Sequence, residues 1–433
     1  MSGQISENPI LTELSELLSR PVETKDLQRA RLHLLDWIGC AIAGTIEPAG
    51  EALRARPAND TLSQAFTWGG LGNILEMDDV DKRALLHPGP SIVPAVLAVA
   101  QSQSTTLTQA LSAIVIGYEA TIRLGRAVGS GHYALWHSTG TCGPIGAAAA
   151  AAHLMGLSPS QTAHAMALAV SQSAGLWHTR HDPFSMGKQL HTAAAARAGV
   201  DAAQLASVGF AGPLRILEGE QGFFAAMCPG SEASLVLARA TSAWAIHDVS
   251  FKPWPACRHA HAVIDAALAL RDKTDPAQAT DLIVRTYSDA LKFCDQVNPS
   301  TVIEAKFSLQ HSVAVAMVRG APTLADFSLE AINDPELSAL RSNVKVEISE
   351  AFDAAYPARF GAAVSFNDLT ETASDALGDP ENPMSYQQIR EKADMLMKAG
   401  LLDAQMRERI IRAVLSDDAT IADVSQLLSE ALA

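Results

Sequence analysis

Residues Ala147 to Leu154 read Ala-Ala-Ala-Ala-Ala-Ala-His-Leu. Six consecutive alanines combine the strongest intrinsic helix preference with no side-chain entropy to lose, and their small side chains let neighbouring helices approach closely. A second run, Ala193 to Ala196, lies inside another predicted helix, Thr192 to Val208. Aromatic residues make up only 5% of the chain, so many small side chains rather than a few large ones must fill its core. The pattern predicts a mainly α protein with tightly packed helices.

On the N-terminal side of the run, Gly129 to Gly146 is rich in Gly, His, Ser and Thr and reads as loop. Before it, Leu107 to Val128 and Pro94 to Gln103 read as long buried helices, the former carrying Arg123 and Arg126 one turn apart. Thr24 to Ala43 has Leu27, Ala30, Leu34, Trp37, Ile38 and Ala41 at helical spacing, with Gly44 as its stop. Residues 46 to 68 read as a loop and a short helix. On the C-terminal side, Ser158-Pro159 opens a helix over Ser160 to Ser173, and residues 176 to 191 are polar, with three histidines and Lys188.

The texture changes near Trp244. Asp281 to Ser288 and Val344 to Ser349 alternate apolar and polar residues, the signature of strands, and Ala362 to Asn367 reads as a third. Ser308 to Val318 is helical between the first two, and from Ser385 the chain is helical again. This predicts a large all-helical domain over 1–250 with 385–433, and a smaller α+β domain over 251–384. A chain of 433 residues is long enough for both cores.

The formal charge is −15 and no run of basic residues occurs. That argues against nucleic acid or an anionic membrane as partner, but not against a local basic pocket for a small anion. The five cysteines are scattered, with no CxxC motif, so neither a disulfide framework nor a zinc ribbon is indicated. The first thirty residues are polar and acidic, and no segment reaches the roughly 18–20 apolar residues of a membrane span. The expectation is a soluble, cytoplasmic protein.

Two stretches concentrate chemistry. Glu76 to Pro90 holds four carboxylates (Glu76, Asp78, Asp79, Asp81), two cations (Lys82, Arg83) and His87, then breaks at Pro-Gly-Pro before an apolar run. Charges delivered to the edge of a core furnish the wall of a cleft. In Lys252 to His261, two prolines precede a helix start flanked by Lys252 and Arg258, which suits an anion, although an ordinary capped helix start has the same composition. His137, in Trp-His-Ser-Thr-Gly-Thr, has the titration range of a proton carrier, as many structural histidines do. No metal site is expected, because the acidic stretch lacks the spacing of a calcium loop and His259-x-His261 has no third ligand. No nucleophile elbow, phosphate-binding loop or dinucleotide fingerprint appears.

Together, Leu35-Asp36-Trp37-Ile38-Gly39-Cys40, Met77-Asp78-Asp79 with His87-Pro88-Gly89, Gly117-Tyr118-Glu119, Trp136-His137-Ser138-Thr139, Cys257-Arg258-His259-Ala260-His261 and Phe307-Ser308-Leu309-Gln310 resemble the MmgE/PrpD family in order and spacing. The resemblance implies a helical domain with an α+β lid, a homodimer, no cofactor, and proton transfer next to a carboxylate of a small di- or tricarboxylic acid. The family's site positions fall on Glu76, Val80, His87, His137, Lys188, Lys252, Cys257 and His311. His137, Lys188, His87, Asp78 and Cys257 are the catalytic candidates; Lys82, Arg83, Lys252, Arg258, His311 and Glu76 are the substrate-binding ones. Lyase members tend to have Asp at Glu76, Thr at Val80, His at Asn73 and Tyr at His311. Because the proton carriers persist while hydroxyl-handling positions change, the expectation is a cofactor-independent epimerase of a dicarboxylic acid derivative such as iminodisuccinate. The alternatives are a lyase of the 2-methylcitrate dehydratase or cis-aconitate decarboxylase type, and a catalytically silent binding protein on the same scaffold.

Overall fold

The computed structural model describes residues 8–103, 105–182, 184–239, 243–275, 281–417 and 419–432. It has two compact units, Met1–Val249 with Ser385–Ala433, and Ser250–Met384. The first is helical and the second α+β, so the mainly α expectation holds.

At the centre of the first unit is the helix Ser138–Leu154, which packs on Leu107–Ala127, Gly187–Ser207, Pro159–Val170 and Gly89–Gln101. Every residue from Ser138 to Ala152 is buried. A Cβ at Gly199 would lie 2.3 Å from that of Ala147, and one at Gly146 would lie 2.4 Å from the Gly117 carbonyl oxygen. Only glycine at 146 and 199 allows these approaches, and a larger side chain would overpack either contact at about 1–3 kcal/mol.

The reading of Gly129 to Gly146 as loop is wrong. Gly129–Tyr133 is a short helix, and the central helix begins at Ser138, nine residues before the alanine run. Its glycines and hydroxyl residues are weak helix formers alone, but burial among four neighbouring helices overrides that weakness. Two other helices also start five residues earlier than their apolar pattern predicts, at Gly89 rather than Pro94 and at Gly187 rather than Thr192. In the C-terminal part of this unit, Tyr386–Ala399 packs on Thr24–Gly44. Among the described residues no helix is long and apolar enough to cross a membrane.

The second unit holds one four-stranded sheet in the order β2-β1-β3-β4, with β1 Ile283–Thr286, β2 Lys345–Ile348, β3 Ala362–Phe366 and β4 Leu369–Ala373. β1 and β2 are parallel; the other pairings are antiparallel. The fourth strand escapes the sequence reading, although Asn367-Asp368 is a two-residue hairpin turn with Asn367 at φ 52°. Helix His261–Arg271 covers β3 and β4 and packs on Leu309–Arg319.

Candidate active site

The early helix starts matter because each carries a candidate side chain. His87 lies two residues before the helix Gly89–Gln101, His137 is the N-cap of Ser138–Leu154, and Lys188 is the second residue of Gly187–Ser207. Helix N-termini present unpaired N–H groups and the positive end of the helix dipole, an environment that favours anions.

Residues 73–88 connect to the first of these helices without regular structure, apart from a bridge between Asp81 and Leu86. Glu76 (φ 60°) and Leu85 (φ 50°) are left-handed, conformations that cost about 1–3 kcal/mol and persist only where surroundings enforce them. Three buried ion-bearing groups do so. Asp79 accepts from the His33 ring (2.7 Å), the Tyr118 hydroxyl (2.6 Å) and the Gly89 N–H (2.9 Å). Burial pushes the Asp79 carboxyl up to about 6, while burial keeps the His33 ring well below its ordinary value and neutral. Asp81 accepts from the Ala84 N–H and from Arg126, which also binds Asp248. Lys392 donates to the Met77 carbonyl (2.6 Å) and pairs with Asp36. Asp79 and Asp81 therefore brace the loop.

Asp78 faces the other way in chemistry. His87 Nδ1 lies 2.8 Å from Asp78 Oδ2 and 3.0 Å from the Asp79 carbonyl oxygen. Both neighbours are acceptors, so Nδ1 carries a proton, and Nε2 is the ring nitrogen left to exchange one. Asn73 donates to the same Asp78 oxygen (2.7 Å), and the His87 N–H donates to Thr139 Oγ1 (3.0 Å), tying the loop to the central helix.

His137 is buried, its ring 4.5 Å from that of Trp177 and its Nδ1 3.2 Å from His191 Nδ1. Its Nε2 has no hydrogen-bond partner among the described residues. Burial holds it well below the usual imidazole value, reinforced by Lys188, His191 and His87 and opposed by Asp78. Those four groups are thus its electrostatic neighbours. Lys188 forms a short ion pair with buried Glu76. The structure therefore brings Glu76, Asp78, His87, His137 and Lys188 together. It adds His191, which sequence reading missed. Lys188 and His191 are three apart and share a helix face, a signal hidden while that helix was started at Thr192.

The remaining candidates are on the same loop and in the second unit. Lys82 is buried, whereas Arg83 is half-exposed and 3.9 Å from Asp248, on the bracing side of the loop. In the second unit, Lys252 and Cys257 are buried. Arg258 binds Asp379 and lies over the Phe360 ring. His311 uses both ring nitrogens, Nε2 donating to the Asp326 carbonyl (2.8 Å) and Nδ1 accepting from Arg341 (3.1 Å). Arg258 and His311 thus have structural work within their own unit. Asp375, Asp379 and Glu381 present carboxylate oxygens within 4.8 Å of one another, but Asp379 already serves Arg258 and Ser250.

The MmgE/PrpD N-terminal domain matches residues 15–236, and the MmgE/PrpD C-terminal domain matches residues 254–417. The chain belongs to the MmgE/PrpD family. Its relatives include a cis-aconitate decarboxylase-like protein, oryM, of Aspergillus oryzae, 27% identical over 96% of this chain and 95% of that one. The cis-aconitate decarboxylase of Homo sapiens is 27% identical over 84% and 82%, and the 2-methylcitrate dehydratase of Salmonella typhimurium 25% over 76% and 74%. These MmgE/PrpD relatives are named as decarboxylases and dehydratases. They support the lyase alternative and give the epimerase expectation no support.

Proposed function

We propose that this MmgE/PrpD protein is a lyase that removes or delivers a proton at carbon next to a carboxylate of a small di- or tricarboxylic acid. One observation carries the reading: two histidines whose Nε2 atoms can exchange a proton stand beside a lysine, all at helix N-termini. A substrate carboxylate would compete with Glu76 for the Lys188 ammonium. His137, kept neutral by burial, suits the base, and His87, oriented by Asp78, handles the second proton. The helix N-termini favour the negative charge that builds up on the substrate carboxylate as the C–H bond breaks. Lys252 and Cys257 stay as candidates on the family resemblance, and Lys82 as a cation of the Glu76 to Pro90 stretch. In this reading the compartment is the cytoplasm and the assembly a homodimer.

The test is incubation with cis-aconitate and with 2-methylcitrate in D₂O, followed by NMR. Loss of CO₂ with deuterium entering at carbon, or loss of water with the carbon-bound proton passing to solvent, supports the lyase. Val80 favours a second reading, because its buried apolar side chain offers no hydroxyl to a leaving group. Deuterium exchange with inversion and no loss of either would establish epimerisation instead. No exchange and no loss of CO₂ or water across a panel of such acids would sink both.

A further inference from the structure

The contact between His137 Nδ1 and His191 Nδ1 (3.2 Å) holds one proton, because a hydrogen bond needs one donor and one acceptor. Two arrangements satisfy it. If His191 donates, His137 must carry its own proton on Nε2, a buried N–H with no acceptor. If His137 donates, its Nε2 keeps a lone pair, and His191 carries its proton on Nε2. The second is favoured, because His191 is only partly buried and water can serve its Nε2. The groups around His137 agree. Lys188 and His191 approach from one helix and His87 and Asp78 from the loop, with Glu76 held on Lys188. The Lys188 ammonium disfavours another N–H aimed toward it.

We propose that His191 is a positioning residue: it accepts the Nδ1 proton of His137 and thereby keeps the His137 Nε2 lone pair available for the substrate proton. The inference rests on the lyase reading for its kinetic consequence, though not for the pairing itself. When the substrate C–H bond breaks, its electron pair stays on carbon, spread into the adjacent carboxylate, and its proton goes to His137 Nε2. The Nδ1 proton stays on His137, and its bond to His191 stabilises the imidazolium, the part a carboxylate takes in a serine-protease triad.

Protein labelled with ¹⁵N-histidine would show which nitrogen of His137 is protonated, with the signal assigned by its loss in His137→Ala. The expected form is Nδ1–H; finding Nε2–H in the parent protein overturns the proposal, whatever reaction is catalysed. His191→Phe should lower kcat roughly 10- to 100-fold with KM within about 3-fold, and His191→Asn, whose side-chain oxygen also accepts, should recover most of it. An unchanged kcat in folded His191→Phe would equally overturn it. If no acid is turned over, the lyase reading fails while the spectrum still decides the pairing. If His191→Phe does not fold, the spectrum of the parent protein decides alone.

Discussion

His137 and His311 are both buried imidazoles, one in each unit, and burial holds both below the ordinary histidine value. Composition and exposure do not separate them. What does is the account of their four ring nitrogens. His311 spends Nε2 on the Asp326 carbonyl and Nδ1 on Arg341, so it can neither take nor give a proton without breaking a bond. His137 spends only Nδ1, on another histidine, and keeps Nε2. A buried polar atom left without a partner is expensive and rare, so its presence at a helix N-terminus beside Lys188 marks a place kept ready for something else. The same test separates Asp79, all of whose neighbours are donors within the core, from Asp78, which orients His87.

The largest expected effect attacks this contrast directly. His137→Gln should reduce kcat by about 10²–10⁴-fold with little change in melting temperature. His311→Gln should lower stability and leave kcat of the folded fraction unchanged. Equal losses of kcat would erase the distinction and restore His311 as a substrate-binding residue.

Acid comes next. Burial puts His259 at about 3 and His311 at about 4 in the folded protein. Both values lie below the unfolded value near 6.5, so between these limits the unfolded chain binds more protons. The stabilisation is complete above about 6.5 and is lost as pH falls through the folded values, amounting to roughly 3 kcal/mol per histidine at pH 4. Urea unfolding of the second unit at pH 7 and pH 4, followed by Trp254 fluorescence, should show it.

Glu76→Gln should sharpen the picture of Lys188. With the paired carboxylate gone, an anionic substrate no longer competes for the ammonium, and KM should fall a few-fold, about 1 kcal/mol. The smallest effect is at Arg83. Its pair with Asp248 is long and half-exposed, so Arg83→Ala should change stability by no more than about 0.5 kcal/mol and leave KM alone; a large rise in KM would return it to the substrate-binding group.

The fold class can be read from the alanines because helix propensity and close packing act locally. Helix starts cannot, since Ser138 to Gly146 is helical only by virtue of the helices around it. That error had a cost for the candidate site, because the misplaced starts conceal that His87, His137 and Lys188 all lie at helix N-termini and that His191 shares a face with Lys188. The resemblance singled out Glu76 by its identity, but its pairing with Lys188 joins residues 112 apart in sequence. Arg258 and His311 show the opposite failure. Their chemistry is right for a site, and only contacts made across the second unit reveal that Asp379, Asp326 and Arg341 already occupy them. The hairpin at Asn367-Asp368 was within reach of the sequence, since asparagine tolerates the left-handed turn.

The buried ammonium of Lys392 also sets an order of assembly. It lies 315 residues after Met77, whose carbonyl it holds, and it neutralises Asp36 in the helix Thr24–Gly44. At roughly 5–20 residues per second, that stretch takes roughly 15–60 s to synthesise. During this interval the ribosome has released the loop and all its catalytic candidates, but not the cation that pins them. The second unit, contiguous from Ser250 to Met384, is complete before that cation emerges. The nascent protein can therefore finish its second unit first, and the last of the three braces on the candidate loop forms only when the final helices arrive.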